Sequence, residues 1–240
     1  MIAKKLSTRY FDMSQVHPHS TLPEEKTTHP SMMTKMSGMA ASMLQSFHPL
    51  KSVHQHLSSM HYYVGEPSRQ VISHHYCTHL SEDVRQCLIY DGNASDSKLI
   101  GVEYIISRAQ FETLPESEKP YWHSHQYEVC SGLLTMPGAV PDTLELAEMK
   151  KLKETYGKTW HFWQIDRGDP LPYGPAKLMG SFTADGQINT QLIKQMDESI
   201  GGSSILSRRE YRAKKGLFVD QATLHPNADK FTGYSESKIG

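Results

Sequence analysis

Between residues 60 and 106 the chain repeats one pattern four times. MHYYV, QVISHHY, VRQCLIY and KLIGVEYII are short runs rich in valine, isoleucine and tyrosine, and Gly65-Glu66-Pro67 and Asp91-Gly92-Asn93 punctuate them. Branched and aromatic side chains suit a pleated surface, and glycine, proline and asparagine supply turn backbone. The segment therefore reads as strands joined by turns. TWHFWQI (159–165) and KLMGSFT (177–183) read as two more strands, separated by the proline- and glycine-rich loop IDRGDPLPYGPA. Arg167 and its aspartate neighbours Asp166 and Asp169 suit a structural clamp on that loop.

Helical patterns lie around these strands. In SMMTKMSGMAASMLQSFHP, Met32, Met33, Met36, Met39, Ala40, Met43, Leu44 and Phe47 form one apolar stripe, with Ser31 as cap and Pro49 as stop. A short helix is expected from Thr113, with Pro115 in its first turn. A longer one is expected over 141–156, burying Leu144, Ala147, Leu152 and Tyr156 and ending at Gly157. Residues 191–215 hold a helical piece with the basic cluster SRREYRAKK. The fold class is α+β: a mostly antiparallel sheet with flanking helices, in a single domain with extensions at both ends. The expected divisions are a flexible arm (1–31), an amphipathic Met-rich helix (32–48), the α+β domain (49–190), and a C-terminal helical extension and tail (191–240).

Charge excludes some functions. The 25 lysines and arginines nearly balance the 26 aspartates and glutamates, so nothing draws the chain generally to nucleic acid. No run of about 18 apolar residues exists to span a membrane, and no secretory signal pattern is present. Cys77, Cys87 and Cys130 are an odd set that forms no disulfide framework and suits a reducing, cytoplasmic setting.

Histidines are the candidate chemistry. Ten of the fourteen lie between 48 and 161. His75 and His79, four apart, share a face of a strand or a helix, and Cys77 joins them in a strand. His123 and His125 share a face of a strand, while Glu128 points away unless the chain turns. A transition-metal site needs two or three imidazoles, often with a carboxylate, at about 2.0–2.2 Å from the ion. His75, His79, His123, His125 and Glu128 can supply that set for a divalent transition metal if their strands are neighbours. HxHxxE is close to part of a cupin metal motif, but its spacing and the surrounding glycines depart from it. Histidines hydrogen-bonded in a packed sheet are the competing explanation. No P-loop, G-x-S-x-G or dinucleotide glycine fingerprint appears, and buried free cysteine is the default reading of Cys77.

Two surfaces carry further expectations. Opposite the apolar stripe, Thr34, Ser37, Gly38, Ala41, Ser42 and Gln45 form a small, nearly uncharged face with only Lys35 as a cation. Such a helix can insert Met32, Met36, Met39, Met43 and Phe47 where lipid packing is loose, as on a lipid droplet, with the basic cluster at 208–215 assisting. Alternatively the stripe packs on the sheet. Trp122, Trp160 and Trp163 lie near the histidines in sequence and read as core or as the wall of a pocket for lipid or acyl compounds.

The runs HHYCTHLSEDVRQCLIYDG, LIGVEYIIS, YWHSHQYEVCSGLL and YGKTWHFWQIDRGDPLPYGPAKLM, in this order across residues 44–185, resemble the oil body-associated protein family, also called the DUF1264 family. The resemblance implies association with oil bodies, where plant members are implicated in droplet stability, and a structural rather than catalytic role. It carries over no catalytic residues. A metal-binding protein or metal-dependent enzyme, and a small-molecule binding module, are the alternatives from the residues themselves.

Overall fold

The computed structural model of the protein describes residues 30–231. The arm expected over 1–31 lies almost wholly outside these residues, as does the end of the tail. The chain divides into two compact units after Gln45. In the first, Ser31 Oγ accepts from the Thr34 N–H and starts helix α1 (Met32–Leu44), none of whose residues is buried. The helix stops at Leu44, short of the expected end. Pro49 does not end it but sits in the first turn of a second short helix, α2 (His48–Lys51).

The second unit is built on seven strands. β1 (Gln55–Tyr63), β2 (Glu66–His79), β3 (Val84–Tyr90) and β4 (Leu99–Ser107) form a meander, followed by β5 (His123–Ser124), β6 (Thr155–His161) and β7 (Lys177–Gly180). They run in the order β4-β3-β2-β1-β7-β6-β5, and β4 also pairs with β6. Every pairing is antiparallel. The α+β class with an antiparallel sheet thus holds, and the β4–β6 pairing closes six strands into a barrel, with β5 added on β6. Closure brings the backbones close at Gly101, where a Cβ would stand 2.4 Å from the Trp160 carbonyl oxygen.

Five helices flank the barrel: α3 (Arg108–Glu112), α4 (Gln126–Ser131), α5 (Asp142–Leu152), α6 (Thr190–Ile200) and α7 (Ile205–Lys214). Ser107, not Thr113, caps α3, and Thr113 ends it. α5 is shorter than expected. Met149 and Leu152 face the core, whereas Leu144 is 58% exposed, and Tyr156 and Gly157 belong to β6. The Leu152–Tyr156 spacing fits a helix, but one turn at Lys153–Glu154 converts it into the start of a strand.

Apolar residues close the barrel interior. Val129 and Cys130 of α4, with Met149 and Leu152 of α5, pack on Leu57, Cys77, Cys87 and Ile105 of the strands. A separate cluster joins Tyr63, Val71 and Met179. The segment after residue 190 adds Met196 to the cluster of Met60, Leu133 and Phe182, and Leu217 to the first. The arginines of the basic cluster on α7 are engaged within the protein, while Lys214 and Lys215 stay exposed. Arg212 is buried and donates to the carbonyls of Val129 and Leu134 and to Glu145. Arg208 is buried against the Gly132 carbonyl and Asp197, and Arg209 pairs with Asp185.

One expectation about cysteine is corrected. Cys77 and Cys87 form a disulfide, and only Cys130 is a free, buried thiol among the described residues. The β2–β3 register sets the two residues directly opposite each other, which spacing alone does not reveal. The loop clamp is present and larger than expected: Arg167 pairs with Asp169, and Arg69 on β2 donates through two nitrogens to Asp166.

Candidate metal centre in the barrel interior

Strand alternation decides which side chains enter the barrel. His75 pairs across to Leu57 and Ile89, Glu103 to Cys87 and Thr159, and Gly157 to Ile105 and His123. These positions share the interior face with Ser59, His61, Ser73 and His161, and all these polar side chains are buried. Five histidines and two glutamates therefore gather: His61 from β1, His75 from β2, Glu103 from β4, His123 from β5, His161 from β6, and His125 and Glu128 at α4.

Glu103 is the hub. His75 Nε2 lies 3.0 Å from its Oε2, while His123 Nε2 and His125 Nε2 lie 3.3 and 3.2 Å from its Oε1. Among the described residues, only imidazoles stand within 4.0 Å of this carboxylate as cationic partners. His61 Nδ1 lies 3.3 Å from His161 Nε2 and 3.2 Å from Ser73 Oγ. Glu128 is held differently. Its Oε1 accepts from the hydroxyls of Ser59 and Ser181, and its Oε2 is 3.9 Å from His125 Nε2.

Burial and neighbours divide the charges. Burial pushes the Glu103 carboxyl up, but His123, His125 and His75 around it prevail and hold it well below the usual carboxylate range. Burial pulls His123 down, and the adjoining Glu103 carboxylate more than reverses this. Burial, then His75, lowers His161 to about 3 and His61 well below the ordinary imidazole value. The cluster thus sets the ionised Glu103 carboxylate beside His61 and His161, whose imidazoles stay neutral, and carboxylate and imidazole are donors that transition metals accept. Two residue groups place one ligand atom each within 4.8 Å of one another: His61, Glu103 and His123, and His123, His125 and Glu128.

The structure gathers four of the five metal ligands expected from sequence. The β5 strand ends at Ser124 and the chain turns into α4 at His125, so Glu128 comes round to His125 after all. His79 lies apart. It stacks on His54, with His54 Nε2 2.7 Å from His79 Nδ1. Glu103, His61 and His161 were missed. The one mark of Glu103 in the sequence is a lone acid within the apolar run LIGVEYIIS. Trp122 packs with Phe111 and Tyr156, and the Trp163 indole N–H donates to the Asp169 carbonyl.

A second histidine pair lies on the other face of β1 and β2. His56 Nε2 is 3.0 Å from His74 Nδ1, and His56 stacks on Tyr76. Burial first, and neighbouring imidazoles second, lower both to about 4. An unfolded imidazole titrates near 6.5. The unfolded chain therefore takes up protons that the folded one refuses between these values, so their stabilisation is whole above about pH 6.5 and is lost as pH falls toward 4. After allowance for solvent access the pair contributes about 2 kcal/mol of this loss. Urea midpoints measured from pH 7.5 to 4 are expected to decline, and less steeply for the His56→Gln/His74→Gln double variant. Equal slopes would assign the decline to other groups.

A closed antiparallel barrel with a buried interior of imidazoles and carboxylates, plugged by short helices, is the class of protein that this geometry defines. Residues 47–215 match the family described as "Protein of unknown function (DUF1264)", and the chain belongs to that family. It is 48% identical over 196 residues to oil body-associated protein 1A of Zea mays, covering 82% of this chain and 81% of that one. Identity to oil body-associated protein 1B of Arabidopsis thaliana is 45% over 196 residues, 82% and 80% of the two chains. Oil body-associated protein 2A of Zea mays is 41% identical over 206 residues, 85% and 79% of the two. No solved structure matches the chain.

Proposed function

We propose that this protein is a non-catalytic, stabilising component of the lipid-droplet surface. The observation that carries this reading is the 48% identity to an oil body-associated protein across about four-fifths of both chains. The first unit supplies a means of contact. Met32, Met36, Met39 and Met43 of α1 are 58–86% exposed. No helix among the described residues is long and apolar enough to cross a membrane, so contact by insertion of a helical face into the interface is the fitting mode. Burying methionine or phenylalanine side chains is worth roughly 1–2 kcal/mol each at partial depth. A fluorescent fusion of the full chain is expected to float with purified droplets, and deletion of residues 31–48 to lower that enrichment at least tenfold. Undiminished flotation of the deletion would remove the helix from the account. Failure of the full chain to float would remove the droplet reading itself.

A second reading concerns the barrel. The interior cluster holds a divalent transition metal. It is favoured by the buried imidazoles of His75 and His123, whose ring nitrogens make no hydrogen bond among the described residues although two of them face Glu103 closely.

A further inference from the structure

We propose that the metal is a structural ion bound by Glu103, His61 and His123, with His125 as fourth ligand, and that Glu128 is not a ligand. This rests on the second reading above, that the interior holds a metal, and assigns the site within it.

The case begins with one proton. Thr155 Oγ1 lies 2.8 Å from His125 Nδ1 and donates its single hydrogen to the Leu152 carbonyl at 2.7 Å. The contact to His125 must then be an Nδ1–H donated to the threonine oxygen. Nε2 is then the nitrogen turned to Glu103 Oε1, 3.2 Å away, a separation at which one cation, a proton or a metal ion, is shared between the two atoms. A second hydrogen bond that fixes the far nitrogen is also how metal-bound histidines are oriented.

His123 repeats the arrangement. Its Nε2 is 3.3 Å from the same oxygen, its ring is wholly buried, and neither nitrogen is hydrogen-bonded. Ligand atoms bonded to one ion at about 2.0–2.2 Å stand about 3.0–3.5 Å from their neighbours. Both separations fall in that range. His61 stands with Glu103 and His123 in one group of ligand atoms within 4.8 Å, while His125, grouped with His123 and Glu128, joins the set through its contact with Glu103. His75, facing the other carboxylate oxygen, is a positioning residue.

The two glutamates differ in what already satisfies them. Glu128 Oε1 accepts two serine hydroxyls, whereas among the described residues the Glu103 carboxylate meets imidazoles alone as ion-pair partners. The backbone has also left room. At Gly157 a Cβ would stand 2.0 Å from Glu103 Oε1, 2.7 Å from His123 Nε2 and 2.8 Å from His125 Nε2, so the ligand atoms meet over a glycine. All four ligands are buried. A catalytic site keeps a position open to substrate and a structural one is closed. This ion would tie β1, β4 and β5 together.

The full chain, expressed with zinc and manganese supplied, is measured for all first-row metals by mass spectrometry. About one equivalent is expected in the wild type and in Glu128→Gln, and less than about a tenth in Glu103→Gln. X-ray absorption on the wild-type protein guards against a Glu103 variant that does not fold. It should show a nitrogen/oxygen shell with scattering from about three imidazoles, and chelation should lower the melting temperature, with metal restoring it. A metal-free wild type overturns the second reading and this inference together. Metal retained by a folded Glu103→Gln, metal lost from a folded Glu128→Gln, or a shell without imidazole scattering overturns this inference and leaves that reading standing.

Discussion

Gly157→Val is expected to lower stability by about 3 kcal/mol or more and to empty the interior of any bound metal. Even a methyl at this position would lie 2.0 Å from a Glu103 oxygen and under 3 Å from two imidazole nitrogens. None of the three can withdraw freely, because all are buried, and β6 is fixed on both sides by β4 and β5. Overfilling a packed interior generally costs about 1–3 kcal/mol, and valine adds two further methyl groups at the point of closest approach. Urea denaturation of the variant beside the wild type measures the effect. A midpoint within error of wild type would show that the carboxylate and rings move aside without strain, and the tight interior described above would be wrong.

Arg212→Ala should be of similar size, by about 3–5 kcal/mol, for a different reason. The guanidinium is 1% exposed and bridges three acceptors: the carbonyls of Val129 and Leu134, at 2.7 and 2.8 Å, and Glu145 Oε1 at 3.0 Å. Burial lowers its pKa to about 10, so it stays charged at neutral pH. Removing it leaves the partly buried Glu145 carboxylate without its cation and two carbonyls without donors. Thr135 and the Met136 N–H still donate to that carboxylate, which limits the loss. Arg212→Lys should recover only part of it, because one ammonium group cannot reproduce the planar fork. A wild-type melting temperature for Arg212→Ala would mean that α7 contributes little to holding α4 and α5 in place.

Much of the barrel was legible. β1 to β4 are long, rich in branched and aromatic residues, and set off by glycine turns, so alternation and punctuation agree. Closure was not legible, because the pairing of β4 with β6 joins segments about fifty residues apart and leaves no local mark. β5 has two residues and no periodicity to detect. Of the site, the histidine pairs were visible as pairs, but their geometry depended on a backbone turn at His125 that converts an unfavourable offset from Glu128 into a helical neighbour. Glu103 was hidden because a single acid in LIGVEYIIS looks like an outward residue of an alternating strand, and only the register with β3 and β6 turns it inward. The Cys77–Cys87 bond was missed for the same reason: parity places both residues inward, but register alone makes them partners.

The β4–β6 pairing has a consequence for copies of this protein held close together. An open sheet would present unpaired N–H and C=O groups to neighbouring copies, and at high surface density those edges would stitch molecules into aggregates. Joining the first strand of the barrel order to the last satisfies that hydrogen-bonding capacity within each molecule. Copies can then crowd together while remaining separate.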